Sequence, residues 1–189
     1  MTQQGKNAID LVLAESLIEL SVKKPIDKIT IKEITDKAGV IRPTFYNHFQ
    51  DKYELIEWII KSELLEPIKP LLNAGMIFEA IVLMLNNISA NSVFYKKALK
   101  LEGAVTFNQI AMKCVCEMFM NIISEKSTGK KSKYRWLTPE VISTYYAQSL
   151  CFITEGWIAQ GMDDIEPKEM AEAYMYLITR SMDDILSEL

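Results

Sequence analysis

The sequence predicts an all-helical protein with a small N-terminal three-helix unit and a larger C-terminal helical bundle. Apolar residues recur every three or four positions along most of the 189 residues, which is the spacing of helices that each bury one face. Only seven glycines and six prolines interrupt this pattern. Hydrophobic residues make up 49% of the chain, so it holds enough apolar side chains to form a core.

Apolar spacing and a capping signal predict the first two helices. The first helix ends near Lys23, just before Pro25, and one face carries Ile9, Val12, Leu13, Ser16, Leu17 and Leu20. The second begins after Thr30, because the Thr30 hydroxyl and the Glu33 carboxylate are spaced to form a capping box. The alternation of residues 29–32 also fits a short strand, although no hairpin partner lies nearby.

A glycine turn separates the second helix from the third. Gly39 is predicted to end the second helix in the left-handed conformation. Arg42 and Pro43 then begin a third helix that runs to about Phe49. Asp51 is placed to cap a fourth helix, which runs from residue 52 towards residue 66.

Longer helices are predicted for the rest of the chain. Pro67 and Pro70 break the helical pattern between the two regions. Helices are expected near 74–89, 92–101, 104–127, 138–160 and 167–186, with a loop over 127–135. We divide the chain into a helix-turn-helix domain, residues 1–52, and a helical domain for regulation, ligand binding and dimerisation, residues 53–189.

The third helix is expected to contact nucleic acid, because two short helices joined by a tight turn form a helix-turn-helix. At 100° per residue, one arc of this helix holds Arg42, Phe45, Tyr46 and Phe49, and the opposite arc holds Pro43, Thr44, Asn47 and His48. The two phenylalanines are expected to anchor the helix. The polar arc then suits a DNA major groove, where amide, hydroxyl and imidazole groups bond to base edges or phosphates.

The segment from Thr30 to Ile56, TIKEITDKAGVIRPTFYNHFQDKYELI, resembles the DNA-binding signature of the TetR family of bacterial transcriptional regulators. The matching features are the Ala38-Gly39-Val40 turn, Thr44 before Phe45-Tyr46, Phe49, and Lys52 before Leu55. The helical remainder is similar to the regulatory domain of that family. The stretches NSVFYKKALK and SKYRW also resemble a Gram-positive subgroup that includes regulators of dihydroxyacetone kinase operons.

The resemblance implies roles for individual residues. The positions that would enter the major groove are Arg42, Pro43, Thr44, Asn47 and His48, and those that would grip phosphate are Thr30, Tyr46, His48 and Lys52. A phosphate contact near Lys52 would also use free amides at a helix N-terminus. One position departs from the family pattern, because Ile41 stands where a serine or threonine usually caps the recognition helix. The missing cap costs about 1 kcal/mol.

Charge limits how this protein can bind DNA. The net charge is −4, and residues 1–61 hold nine basic and nine acidic side chains, which argues against bulk attraction to nucleic acid. Residues 23–52 carry a local excess, with seven basic and four acidic side chains. With few phosphate contacts per subunit, two modules must be paired, so we expect a homodimer on a double-stranded operator.

The last two predicted helices are the expected dimer interface. One stripe comprises Ile142, Tyr145, Tyr146, Ser149, Ile153, Gly156 and Trp157, and the other comprises Met170, Tyr174, Leu177, Ile178, Ser181 and Ile185. Two such helices from each subunit would form a four-helix interface. The alternative is that both stripes pack only inside their own subunit.

Methionine and aromatic residues supply candidates for a cavity that binds an effector. They are Phe78, Met84, Tyr95, Phe107, Met112, Phe119, Tyr145 and Phe152. The alternative for each of them is a place in the hydrophobic core. The cluster Lys126, Lys130, Lys131, Lys133 and Arg135 fits either an anion site or a solvated loop.

Other classes of protein receive no support. The single histidine, His48, lies on the expected DNA face, so no nucleophile has a histidine partner elsewhere. Cys114 and Cys116 point about 200° apart on a helix and cannot share a metal ion. We expect neither an enzyme nor a cofactor or metal site. Three cysteines and no secretory or membrane-spanning segment predict a cytoplasmic protein.

The favoured hypothesis is a repressor that binds a palindromic operator as a dimer and is released by an unknown small-molecule effector. The alternative is a regulator or helical interaction module that a partner protein controls, and that activates transcription. The sequence identifies neither the effector nor the operator.

Overall fold

The computed structural model describes residues 3–103, 105–126 and 132–188, with side chains from Ala8 onward. These residues form helices and connecting turns without a strand. The helices are α1 (Gln3–Lys23), α2 (Ile31–Ala38), α3 (Arg42–Tyr46), α4 (Lys52–Ile59), α5 (Lys69–Asn73), α6 (Ile77–Ala90), α7 (Ser92–Ala98), α8 (Phe107–Lys126), α9 (Pro139–Ala159), α10 (Pro167–Thr179) and α11 (Met182–Glu188). The all-helical prediction is confirmed.

The local signals around α2 act as predicted. Thr30 and Glu33 form both hydrogen bonds of the capping box, and Gly39 ends α2 at a φ of 69°. Residues 29 and 30 are extended, but the helix begins directly at Ile31, so the strand alternative is wrong. Hydrogen bonds from Lys24 and Thr30 lower the pKa of Glu33 to about 2.

The third and the last predicted helices differ from the prediction, whereas the fourth has its predicted extent but changes its winding. The third helix ends at Tyr46 rather than near Phe49, and residues 47–48 form a turn. α4 continues beyond Ile59 as a π-helical turn, Ile60–Leu65. The last predicted helix is two helices, because Arg180 is extended and the Ser181 hydroxyl pairs with Asp184 to start α11.

The helices share a continuous apolar core. α1 packs against α2, α4 and α7, while α8 packs along α9 and α10 packs against α6. Buried side chains extend from Leu13 in α1 to Tyr174 in α10. No single described helix has the length and hydropathy to cross a membrane; α6 and α7 pass that test only as a pair, and they are bent by 88°.

The predicted loop 127–135 is only partly described. Residues 127–131, including Lys130 and Lys131, lie outside the described residues. Tyr134 and Trp136 in the described part are exposed.

Candidate DNA-binding interface

The short helix α3 presents its polar residues to solvent. Arg42, Pro43 and Asn47 are exposed, and Thr44 is half-buried on the same surface. Tyr46 is also exposed, and its hydroxyl accepts a hydrogen bond of 3.4 Å from Arg42. These side chains lie together on one surface that is accessible to a duplex.

Two phenylalanines fix the direction in which α3 faces. Phe45 and Phe49 are buried, their ring centroids lie 5.8 Å apart, and the Phe49 ring meets Trp58 of α4 edge-on at 6.3 Å. This confirms the prediction that both rings anchor the helix. A helix of five residues has little stability of its own, so packing of the rings determines its orientation.

Ile41 is an exposed apolar residue at the start of α3. Its side chain is 69% exposed and gives the helix no cap, as the sequence indicated. Pro43 lacks an N–H, and the Thr44 N–H already donates to the Ile41 carbonyl over 2.9 Å. Sequence reasoning treated Ile41 only as a missing cap, yet its exposure beside Arg42 suits contact with a thymine methyl group.

Lys52 does not have the free ammonium expected of a phosphate contact. Its Nζ donates to the main-chain carbonyls of Ile26, Asp27 and Ile29 over 3.0, 2.7 and 3.2 Å. These three bonds use all three ammonium protons. Burial lowers the pKa of Lys52 below its usual value. In this arrangement the ammonium is not free to contact a phosphate, and Lys52 instead ties α4 to the turn before α2.

Two amide groups at the N-terminus of α4 also have a hydrogen-bond partner already. The Asp51 carboxylate accepts hydrogen bonds from the N–H groups of Tyr53 and Glu54 over 2.8 and 2.9 Å. The predicted cap is confirmed, but the expectation that this helix end offers free amides to a phosphate is wrong for these two groups.

His48 faces inward rather than outward. Its side chain is 2% exposed, and Nδ1 lies 2.6 Å from Oδ1 of Asp10 in α1. The prediction that the imidazole lies on the outer polar arc is therefore wrong, because α3 ends at Tyr46 and residues 47–48 form a turn. Direct contact with a base or phosphate is not supported in this arrangement.

Most cations near α3 are already paired. Lys24 bonds to Glu33 and Lys32 to Asp36, and Lys37 forms an ion pair with Glu19. Arg42 has no carboxylate within 4.0 Å among the described residues. The positive charge available on the surface of α3 is therefore concentrated in Arg42. Thr30 is exposed, but its hydroxyl both donates to and accepts from Glu33.

A cavity lies deeper in the chain, where the end of α4 meets α6, α7, α8 and α9. Its volume is about 40 Å³, enough for roughly three water molecules. Met84, Tyr95 and Phe107 line it as predicted, together with Ala111 and Leu150. Phe78, Met112 and Phe119 do not line it but pack against the hydrophobic core.

One wall of the cavity belongs to the helix that follows the recognition helix. Ile60, Leu64 and Leu65 of the π-helical turn face the cavity. Beside them, Lys61 bridges Glu57 and Glu117 over 2.7 Å each. Burial lowers the pKa of Lys61, but its hydrogen bonds to the two carboxylates outweigh burial and hold the pKa above its usual value. α4 is thus attached to α8 next to the cavity.

Polar groups in the cavity are few. Thr154 lines it, and its buried hydroxyl has no hydrogen-bond partner among the described residues. Glu155 stands at the same cavity, where burial raises the pKa of its carboxyl and Asn108 donates to it over 2.6 Å. Burial also raises the pKa of the Cys114 and Cys151 thiols to about 12, which fits structural rather than reactive cysteines.

The outer face of α9 carries large exposed aromatic residues. Tyr145 is 64% and Phe152 77% exposed, and Leu177 of α10 is exposed as well. Tyr145 and Phe152 were predicted to line an effector cavity, but both point out of the subunit and neither lines the cavity at the end of α4; each lines an open surface groove instead. Trp157 and Tyr174 of the predicted stripes are buried, and the Trp157 indole donates to the Ile165 carbonyl over 2.9 Å.

Two models of known families match the sequence. The model described as "Bacterial regulatory proteins, tetR family" matches residues 15–59. The model described as "Transcriptional regulator C-terminal region" matches residues 76–180, which is more than half of the chain. A curated relative, the HTH-type dhaKLM operon transcriptional activator DhaS of Lactococcus lactis subsp. lactis (strain IL1403), is 26% identical over 152 residues, or 79% of each chain.

Solved structures show the same fold. The dihydroxyacetone kinase operon activator DhaS aligns with a TM-score of 0.63 at 21% identity, over 90% of this chain and 93% of that one. NalD, the secondary repressor of the MexAB-OprM multidrug efflux pump in Pseudomonas aeruginosa, aligns with a TM-score of 0.59 at 12% identity, over 92% of this chain and 96% of that one.

The geometry of Lys52 predicts that Lys52→Met lowers stability without removing a phosphate contact. Leaving three carbonyls unpaired should lower the free energy of unfolding by about 1–3 kcal/mol, measured by urea denaturation. The slope of log affinity for DNA against log salt concentration should be the same as in the wild type. Lys28→Met is the matched control, because the Lys28 side chain is 74% exposed. A slope smaller by about 0.9 for Lys52→Met would instead identify a phosphate contact.

Proposed function

The chain belongs to the TetR family of bacterial transcriptional regulators, and from this premise we propose that it is a dimeric repressor released by a small effector. Family members are DNA-binding regulators rather than enzymes. The observation that carries the proposal is the exposed polar surface of α3, held outward by two buried phenylalanines. We place the protein in the cytoplasm, where it would meet DNA.

Base reading is assigned to the exposed residues of α3. Arg42 has the donor geometry to bond to guanine, and Asn47 has the amide that pairs with adenine. Thr44 and the Ile41 side chain would contact thymine methyl groups. We assign DNA contact to residues 1–52 and regulation to residues 53–189, with α4 crossing between them.

Dimerisation is assigned to the outer faces of α9 and α10. Tyr145 and Phe152 lie seven residues apart, so they project from the same side of α9. Gly156 is on that side too, and the space beyond its Cα is open, which allows a second helix to approach closely. Leu177 extends the apolar surface onto α10. Exposed apolar residues that lie together in this way are typical of an interaction surface.

The small size of the cavity determines how an effector would act. Ligand sites usually measure about 300–1,000 Å³, whereas this cavity holds about 40 Å³. An effector larger than a few atoms must displace a wall, and Ile60, Leu64 and Leu65 of the α4 extension form one wall. The effector would then bind only the displaced state, and a ligand shifts an equilibrium by its difference in affinity between two states.

An activator controlled by a partner protein is the second candidate. The curated relative that spans 79% of this chain is a transcriptional activator. A cavity of about 40 Å³ also fits a domain that binds no small molecule. Exposed Trp136 and Tyr134 beside α9 offer apolar surface for such a partner.

Selection of bound fragments from random duplex DNA should enrich a near-palindrome. Arg42→Ala and Asn47→Ala should then change base preference at particular positions, since each lost base contact costs about 1–3 kcal/mol. Lys23→Ala provides a control for the loss of one exposed side chain, because Lys23 is exposed at the end of α1 and is not part of α3. Equal losses on every sequence for Arg42→Ala and Asn47→Ala would overturn their assignment as base readers.

Phe152→Glu should convert the dimer to a monomer and abolish operator binding. A carboxylate buried without a partner at an interface costs several kcal/mol. Sedimentation velocity at micromolar protein measures the change. Val22→Glu is the matched control, because Val22 is an exposed apolar residue on α1, away from α9 and α10. A dimer that persists in Phe152→Glu would place the interface elsewhere.

Thr154→Val should stabilise the protein by about 1 kcal/mol in urea denaturation. The substitution keeps the shape of the side chain and removes a buried hydroxyl that lacks a partner. Thr35→Val is the control, because Thr35 is also buried but its hydroxyl donates to the Lys32 carbonyl over 3.0 Å, so its loss should give no gain. Equal effects of both substitutions would show that the Thr154 hydroxyl is satisfied in solution.

A further inference from the structure

Asp10 and His48 join the first helix to the turn that follows the recognition helix. The Oδ1–Nδ1 distance is 2.6 Å, and the residues are 38 positions apart in the sequence. Both side chains are buried, with 11% of Asp10 and 2% of His48 exposed. Removing either partner would leave the other buried group without a hydrogen bond, which would lower the stability of the fold.

This contact is the side-chain hydrogen bond that connects residues 42–49 to another helix in the described part of the chain. The other side-chain bond within this segment, from Arg42 to Tyr46, stays inside α3. The phenylalanines hold α3 through apolar contacts, which resist separation better than sliding or rotation. A directional bond at the C-terminal end of α3 supplies the missing constraint.

α1 is itself firmly placed in the fold. It packs against α2, α4 and α7. The Lys97 ammonium of α7 donates to the Val22 carbonyl at its end over 2.8 Å, and Glu19 forms an ion pair with Lys37 of α2. A side chain fixed to α1 is therefore fixed relative to the rest of the subunit.

We propose that Asp10 and His48 are positioning residues for operator recognition, which set the angle of α3 without touching DNA. This proposal rests on the proposed DNA-binding function of α3. Base recognition requires side chains held to within about half an ångström, so a small rotation of α3 would cost specific contacts first. Contacts to the duplex backbone carry no sequence information and tolerate such a rotation better.

The sign of the change in affinity on substituting Asp10 distinguishes a positioning role from general electrostatic repulsion. A carboxylate close to the DNA-binding surface repels phosphate, so its removal would strengthen binding if repulsion were its only role. Positioning predicts the opposite sign for Asp10→Ala. Asp10→Asn removes the same charge but keeps an oxygen that accepts a hydrogen bond, so it should retain most of the affinity.

The experiment measures affinity for a duplex selected by the wild-type protein and for a scrambled duplex. Asp10→Ala and His48→Ala should weaken binding to the selected duplex about tenfold, with affinity for the scrambled duplex unchanged. Asp10→Asn should lie close to the wild type. Glu15→Ala is the matched control, since Glu15 is an exposed acid on the same helix, and it should leave the ratio of the two affinities unchanged.

Hydrogen exchange gives a readout that needs no DNA. Asp10→Ala should speed amide exchange over residues 42–49 and leave α8 and α9 as in the wild type. Unchanged exchange there, or a parallel loss of affinity for both duplexes in His48→Ala, would overturn the positioning role. A wild-type protein that selects no duplex would overturn the proposed function instead, and the exchange result would still decide whether the pair fixes α3.

Discussion

The burial of Phe45 and Phe49 is the constraint on which the DNA-binding surface depends. α3 has five residues, and a helix of that length does not persist in water without tertiary contacts. The two rings pack against the N-terminal core and against Trp58 of α4. With both rings inside, Asn47 on the opposite arc faces outward, and the long side chain of Arg42 in the first turn is exposed as well. The same packing therefore supplies both stability and the orientation of the polar surface.

α4 connects that surface to the interior of the C-terminal bundle. Its first turn is tied to the N-terminal unit by Lys52, and its π-helical extension forms part of the cavity wall. Ion pairs through Lys61 and Lys113 fasten its middle to α8. A π-helical turn in this position is the kind of irregular segment often found at functional sites. One continuous segment, residues 52–65, therefore links the cavity wall to the N-terminal unit that carries α3.

Local signals allowed much of the fold to be predicted from sequence. The Thr30 and Glu33 capping box, the left-handed Gly39 and the Asp51 cap depend on neighbours within three residues, so spacing was sufficient to identify them. The Ser181 box that starts α11 has the same spacing and was missed. His48 and Lys52 were misassigned because their partners lie 38 and 23–26 residues away. Phe152 was misassigned because helical spacing does not show which face meets solvent.

The structure of the dimer bound to a duplex selected from random DNA tests the account most directly. We expect α3 in the major groove, with Arg42 and Asn47 at base edges and the His48 ring still against Asp10. An α3 that lies away from the duplex, or a Phe45 and Phe49 that have left the core to contact it, would contradict the proposed role of α3.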